Sequence, residues 1–256
     1  MKKFRGVFLK NENEIALIRE ANRITSLILD AMSAEVAPGV PTMRFEEIAQ
    51  DMLRKHKVRA AFQGYGGFPY ALCCSVNEVV VHGFPSKTRI LSEGDIVSFD
   101  MGVVVEGFFG DSARTIRVGQ VSPEVDKLVR VTEESLYKGI EAAVLGNSVH
   151  DISAAVQKHA EGNGLSIIKR FVGHGLGRSL HEKPEIPNFV PVAHTNVPLK
   201  TGMVLCIEPM LALGSHDVDI LADDWTAVMR DGKFAAHFEH CVAITPHGPL
   251  ILSTSE

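Results

Sequence analysis

DIVSFDMGVVVEGFFGDSART, residues 95–115, sets two β-rich runs on either side of Glu106-Gly107. The dipeptide reads as a two-residue hairpin turn, so Val105 is expected to face Phe108 and Gly102 to face Asp111. Side chains alternate along a strand, which places Asp100 and Asp111 on one sheet face as diagonal cross-strand neighbours. Two carboxylates held that close repel each other unless a proton or a cation lies between them. A shared metal ion is the reading that explains both.

The segment has an echo further along the chain. Shifting by 108 positions superposes LSEGDIVSFD (91–100) on LKTGMVLCIE (199–208), aligning Leu91 with Leu199, Gly94 with Gly202 and Asp100 with Glu208. Two half-domains, each delivering a carboxylate from the end of an equivalent strand, are expected to pack as a single domain over residues 1–256. Around these strands the apolar residues recur at helical spacing. Ile15, Ile18, Ala21, Ile24, Ile28 and Met32 predict a helix from Glu14 that stops before Pro38-Gly39. Thr42 is expected to cap a second, with Glu46 and Glu47 in its first turns. Ser122-Pro123-Glu124 opens a third and Asn147 or Ser148 a fourth, which ends at Gly162-Asn163-Gly164. The order of two helices, strands, two helices, strands, with hairpins among the strands, predicts an α+β fold.

Composition narrows the function classes. With 45% hydrophobic and 22% charged residues in 256, the chain has the makeup of a globular protein. A net charge of -5 and the absence of any run of five or six like charges argue against a nucleic-acid footprint or a polybasic membrane patch. No stretch has signal-peptide or membrane-helix character, so a cytoplasmic location is expected. Cys73, Cys74, Cys206 and Cys241 form no C-x-x-C pair and read as buried reduced thiols, which leaves cysteine out of the expected ligand set.

Three further positions complete a candidate metal site. His174 sits in VGHGLG, whose glycines permit close backbone approach, and His181 follows seven residues later ahead of Glu182 and Pro184. Glu208 ends the apolar strand MVLCIE, and Glu239 lies in the strand-like HFEHCVAIT. A buried carboxylate at either place is costly without a partner. The set Asp100, Asp111, His174, Glu208 and Glu239 is rich in oxygen, matching manganese, iron or cobalt better than a thiolate zinc site, with zinc a further candidate.

VNEVVVHGFP, the interval of eleven between the aspartates (111 − 100), GHGLGRSLHEKP, IEPM and FEH, in that order, resemble the type I methionine aminopeptidases, members of the pita-bread metallopeptidases. The likeness runs from about Glu14 to Pro246. It implies the pita-bread fold, in which two pseudo-twofold halves share a curved, mainly antiparallel sheet covered by helices. It implies that Asp111 and Glu239 bridge two divalent ions, that Asp100 holds one, and that His174 and Glu208 complete the other. Water activated between the ions would attack the first peptide carbonyl, with Glu208 carrying the proton. His181 would bind the substrate carbonyl and His82 the scissile nitrogen side, neither as a metal ligand. Phe62, Tyr65, Phe68, Cys73 and Trp225 would form the pocket for a methionine side chain. The implied partners are nascent polypeptide N-termini, with the ribosome as one place of encounter, and the implied state is a monomer.

Two features set this chain apart within the resemblance: Phe62 stands where many relatives carry a smaller residue, and His237 precedes the FEH glutamate. The rival readings are a proline-specific peptidase of the same fold, which resembles the chain in the five ligands, and a catalytically silent scaffold that keeps the fold to grip a polymer. Retention of all five ligands favours the enzyme.

Overall fold

The computed structural model describes residues 2–192 and 196–256. It begins with β1 (Lys2–Phe4) and β2 (Val7–Leu9), followed by helices α1 (Glu12–Ala34) and α2 (Met43–His56). The first half continues through β3 (Arg59–Ala60), β4 (Leu72–Val76), β5 (Val79–Val81), β6 (Ile96–Met101), β7 (Val103–Val105), β8 (Phe108–Phe109) and β9 (Ser112–Arg117). Helices α3 (Pro123–Ala142) and α4 (Val149–Gly162) come next. The second half adds β10 (Ser166–Ile167), β11 (Gly173–Gly175), β12 (Glu182–Ile186), β13 (Val204–Ile207) and β14 (Met210–Ala212). It ends with β15 (Val218–Ile220), β16 (Ala227–Met229), β17 (Ala235–His237), β18 (His240–Thr245) and β19 (Gly248–Ile251).

Helix boundaries follow local chemistry more closely than apolar spacing alone. α1 starts two residues before the expected Glu14, because Asn11 caps it: the Glu14 amide donates to Asn11 Oδ1, and the Asn11 amide donates to the Glu14 carboxylate. The expected cap of α2 is a correction. Thr42 lies at that position in helical geometry and makes no side-chain cap. Its hydroxyl instead donates to the Ser86 carbonyl and accepts from the Ser86 amide, tying α2 to the segment after β5. Glu46 is likewise no surface charge. It is buried, and its carboxylate accepts from the Ala71 and Leu72 amides, fixing the start of β4. Ser122 and Ser148 cap α3 and α4 as expected.

Two antiparallel sheets carry the site. One has the order β4-β6-β9, and the other β12-β11-β13-β18-β19. Helices α1 and α2 contribute to the apolar cluster over the first sheet, and α3 and α4 to a second cluster over the other. The sheets meet at a seam where Ala113 bridges Glu239: the Glu239 amide donates to the Ala113 carbonyl at 2.8 Å. Ser112 Oγ donates to the Glu239 carbonyl, while Thr115 Oγ1 donates to the His237 carbonyl and accepts from its amide.

The turns before β6 and β13 have matching geometry. Gly94 has φ +91° and donates to the Val118 carbonyl, while Gly202 has φ +90° and donates to the Ile244 carbonyl, both at 3.0 Å. In each turn a left-handed residue is required, which glycine adopts without a Cβ penalty. Leu91 and Leu199 are both buried beneath these turns.

Candidate active site

The hairpin expected at Glu106-Gly107 forms, both residues having positive φ, and Val105 pairs with Phe108. The same register continues into the β6–β9 ladder, where Asp100 stands opposite Ala113. Asp111, two residues earlier, is therefore the diagonal neighbour of Asp100 on one face. On its other side Asp100 pairs with Cys73 of β4, so the aspartate pair and one expected pocket residue are adjacent by register.

The second sheet builds a matching floor. GHG, read in the sequence only as a glycine-rich segment, is the strand β11, with His174 opposite Cys206 of β13 and Cys206 opposite Cys241 of β18. The glycines are required by closeness: a Cβ on Gly173 would strike the Cys206 carbonyl, and one on Gly175 the Lys183 carbonyl. Glu208 and Glu239 continue the same face, two residues beyond Cys206 and two before Cys241.

Ligand-type atoms of Asp111, His174, Cys206 and Glu239 all lie within 4.8 Å of one another. The Cys206 sulfur is a difference from the expectation that cysteine stays out of the ligand group; register, and no Cys spacing motif, puts it there. All four cysteines are free and buried. His174 Nε2 lies 3.4 Å from Glu208 Oε1 and 3.8 Å from Asp111 Oδ2. Its Nδ1 donates to the Gly175 carbonyl, which leaves Nε2 as a lone-pair donor facing the carboxylates.

Burial makes this cluster electrostatically unstable by itself. Desolvation pushes the Asp100 carboxyl up to about 7. It also holds the Asp111, Glu208 and Glu239 carboxyls well above the usual range, with further upward pressure on these three from their anionic neighbours. His174 is pushed down to about 3, chiefly by burial, and so is neutral at neutral pH. Asp100 Oδ1, Asp111 Oδ1 and Glu239 Oε1 are buried with no hydrogen-bond partner. Orphaned oxygens converging beside an outward-pointing imidazole fit divalent cations, which supply what the protein itself withholds.

Above the cluster opens a cavity of about 300 Å³. Phe62, Tyr65, Phe68, Cys73, His82, His181 and Trp225, all singled out from the sequence, line it with Asp100, Asp111, His174, Glu208 and Glu239. Phe68 packs edge-on against Trp225 at 5.1 Å, and His82 faces Trp225 at 6.0 Å. Trp225 is presented by a turn in which Asp223 accepts from the amides of Trp225 and Thr226. His82 is held at φ +60°, and burial pushes its imidazole down to about 4. Tyr65 donates or accepts one hydrogen bond at 2.7 Å with His181 Nδ1.

Phe171, Met210 and His237 also line the cavity and were not assigned to it from the sequence. Alternation could have found Met210, two residues past Glu208 in IEPM. His237 is 2% exposed, with neither ring nitrogen hydrogen-bonded and Nε2 at 3.7 Å from Glu208 Oε2.

Residues 16–246 match the model of metallopeptidase family M24. The chain belongs to that family. This M24 metallopeptidase is 49% identical over 247 residues to a methionine aminopeptidase of Clostridium perfringens, covering 96% of this chain and 98% of the relative. It superposes on the crystal structure of the methionine aminopeptidase of Thermotoga maritima with a TM-score of 0.94 at 42% identity, covering 97% and 99% of the two chains. The prolidase of Pyrococcus furiosus shares the fold, with a TM-score of 0.77 at 21% identity, and this chain spans 66% of its length. The α+β, pita-bread architecture is thus the family's own, and family membership brings with it the use of divalent metal. Among the described residues, no helix of this M24 metallopeptidase is long and apolar enough to cross a membrane.

Proposed function

We propose that this M24 metallopeptidase is a methionine aminopeptidase that removes the initiator methionine from new polypeptides. One observation carries the reading: four carboxylates and an outward-facing imidazole converge at the floor of a cavity whose walls are aromatic and sulfur-bearing. The full-length relatives named methionine aminopeptidase support the same substrate.

Asp100, Asp111, His174, Glu208 and Glu239 are the metal ligands of this proposal. Their four negative charges would match two divalent cations held by these five residues, with cobalt, manganese, iron or zinc as the candidates. Cations held there supply Lewis acidity, polarising a peptide carbonyl and acidifying water.

The chain's own side chains supply the rest. The methionine thioether enters between Phe62, Phe68 and Trp225, with Tyr65 and Cys73 completing the wall. Its apolar length fills space that water leaves readily. His181 donates to the carbonyl oxygen of the first peptide bond and stabilises charge that develops on it. His82, neutral and fixed by its backbone conformation, meets the scissile nitrogen. Glu208 takes a proton from the attacking water and delivers it to the leaving amine.

The chain is further inferred to be one catalytic domain of two related halves, on the strength of the matched turns at Gly94 and Gly202. A cytoplasmic location agrees with four unpaired cysteines. The chain is further proposed to act as a monomer on nascent N-termini, at the ribosome or free of it.

Hydrolysis of Met-Ala-Ser compared with that of an Xaa-Pro dipeptide tests the substrate class. Preference for the first is expected. Preference for the proline peptide would assign the site to the prolidase branch, and cleavage of neither, with metal bound, to a silent scaffold.

A further inference from the structure

Tyr65 enters the cavity wall on a turn unlike the rest of that wall. Gly64, Gly66 and Gly67 all have positive φ, and the Tyr65–Gly67 segment forms a single tight turn closed by the Phe68 amide donating to the Tyr65 carbonyl. The turn lifts the phenol to the mouth, where the residue is 44% exposed. An apolar wall has little use for a side chain so placed. Its hydroxyl reaches instead across the mouth, to His181 Nδ1 at 2.7 Å, joining two segments 116 positions apart in sequence.

His181 has few other restraints on its ring. One side packs at 4.4 Å against the His174 ring, at a steep angle of 75°, and the ring edge meets Tyr65 at 5.3 Å. Its backbone, by contrast, is firmly set. The next residue, Glu182, forms a buried ion pair with Lys10 at 2.6 Å and accepts from the Arg178 amide, closing the loop that bears His181. The loop is fixed by Glu182; rotation of the imidazole and the location of its proton are left to Tyr65.

We propose that Tyr65 is a positioning residue for the peptidase reaction, its phenol donating to His181 Nδ1 so that the proton of the imidazole resides on Nε2, the nitrogen offered to the substrate carbonyl. This rests on the reading above in which His181 contacts that carbonyl. A neutral imidazole carries one N–H, and the nitrogen that accepts a hydrogen bond is the one without it. A phenol is the stronger donor of the two groups, so the bond runs from Tyr65 to His181. Losing it frees the ring to carry its proton on Nδ1, where Nε2 would present a lone pair to a carbonyl oxygen and repel it.

The test uses the zinc-loaded enzyme and Tyr65→Phe, which keeps the ring and removes only the hydroxyl. With Met-Ala-Ser, kcat is expected to fall about five- to tenfold, the rate equivalent of one neutral hydrogen bond, while KM stays within about twofold. Long-range ¹H–¹⁵N spectra give a second readout: His181 should show the Nε2–H form in the parent enzyme and a mixture of both forms in the variant. An unchanged kcat, a rise in KM alone, or identical tautomers in the two proteins would overturn the proposal; a KM effect alone would leave Tyr65 as a wall of the methionine pocket. His181→Ala separates the two levels of inference. If it leaves hydrolysis intact, the substrate role of His181 fails; if it abolishes hydrolysis while Tyr65→Phe changes nothing, only the role given to Tyr65 fails.

Discussion

Asp111 is the diagonal cross-strand neighbour of Asp100, because the Glu106-Gly107 hairpin carries one unbroken register into the β6–β9 ladder. Burial raises the proton affinity of both carboxylates, and the charges of Glu239 and then Asp100 push Asp111 further up. Asp111→Asn removes one charge while keeping the shape. It is expected to abolish peptide hydrolysis and to weaken metal binding, yet to raise the stability of the metal-free protein, because a neutral amide is spared the cost that burial and the neighbouring carboxylates place on the charged form. Thermal denaturation of chelated parent and variant checks this. A less stable metal-free variant would count against a repulsive cluster.

The pH dependence of the metal-free protein follows from the same groups. Asp100, Asp111, Glu208 and Glu239 have folded pKa values raised above the ordinary range, so their contribution is fully present at low pH and is lost as pH rises. His82, His174 and His237 are lowered, to about 4, 3 and 3, and act oppositely below their unfolded value near 6.5. Above about pH 6.5 these carboxylates still titrate, and the thiols of Cys73, Cys74 and Cys206, raised by burial, add to the same trend at higher pH. Stability of chelated protein is therefore expected to decline from pH 6.5 upward, and excess manganese to abolish the decline, because cations take the place of protons. Calorimetry at several pH values, with and without metal, measures both slopes; a rising slope without metal contradicts the reading.

The hairpin and the aspartate pair were legible in the sequence because alternation and a two-residue turn leave a single register. Glu208 and Glu239 were legible as carboxylates stranded in apolar runs. Glu46 and Thr42 were not. Each sits where a helix start ordinarily places solvent-facing or capping residues, and only the packing of α2 against β4 and the Ser86 segment redirects them. The strand character of GHG was hidden for a different reason: glycine there serves close approach between neighbouring strands, which composition registers as a loop. Cys206 enters the site through pairings across the second sheet and His237 through the pairing of β17 with β14, long-range relations that local spacing does not encode.

Trp225, half-buried in the cavity wall, offers a direct test of the proposed methionine pocket. Its ring meets both Phe68 and His82. Trp225→Ala is expected to raise KM for methionyl peptides about tenfold, the scale of one lost aromatic contact, with a smaller change in kcat. Steady-state kinetics on Met-Ala-Ser decide it; an unchanged KM would place the methionine side chain elsewhere.

At the seam, Thr115 satisfies both the amide and the carbonyl of His237 and also meets Ser98 Oγ at 2.7 Å. Thr115→Val keeps the shape and strands these buried groups. A loss of about 1–3 kcal/mol is expected. In a chain of this size that lowers Tm by several degrees, roughly 2–4 °C for each kcal/mol. A Tm within one degree of the parent, roughly the scale of a neutral surface change, would mean that the seam contributes little.

The central claim is that five side chains from both halves of the chain hold a pair of cations beneath one cavity. Anomalous diffraction from crystals equilibrated with excess manganese addresses it most directly. Two adjacent peaks, each within coordination distance of Asp111 and Glu239 and flanked by Asp100 on one side and His174 with Glu208 on the other, are the expected result. A single peak, or peaks away from these residues, would contradict it.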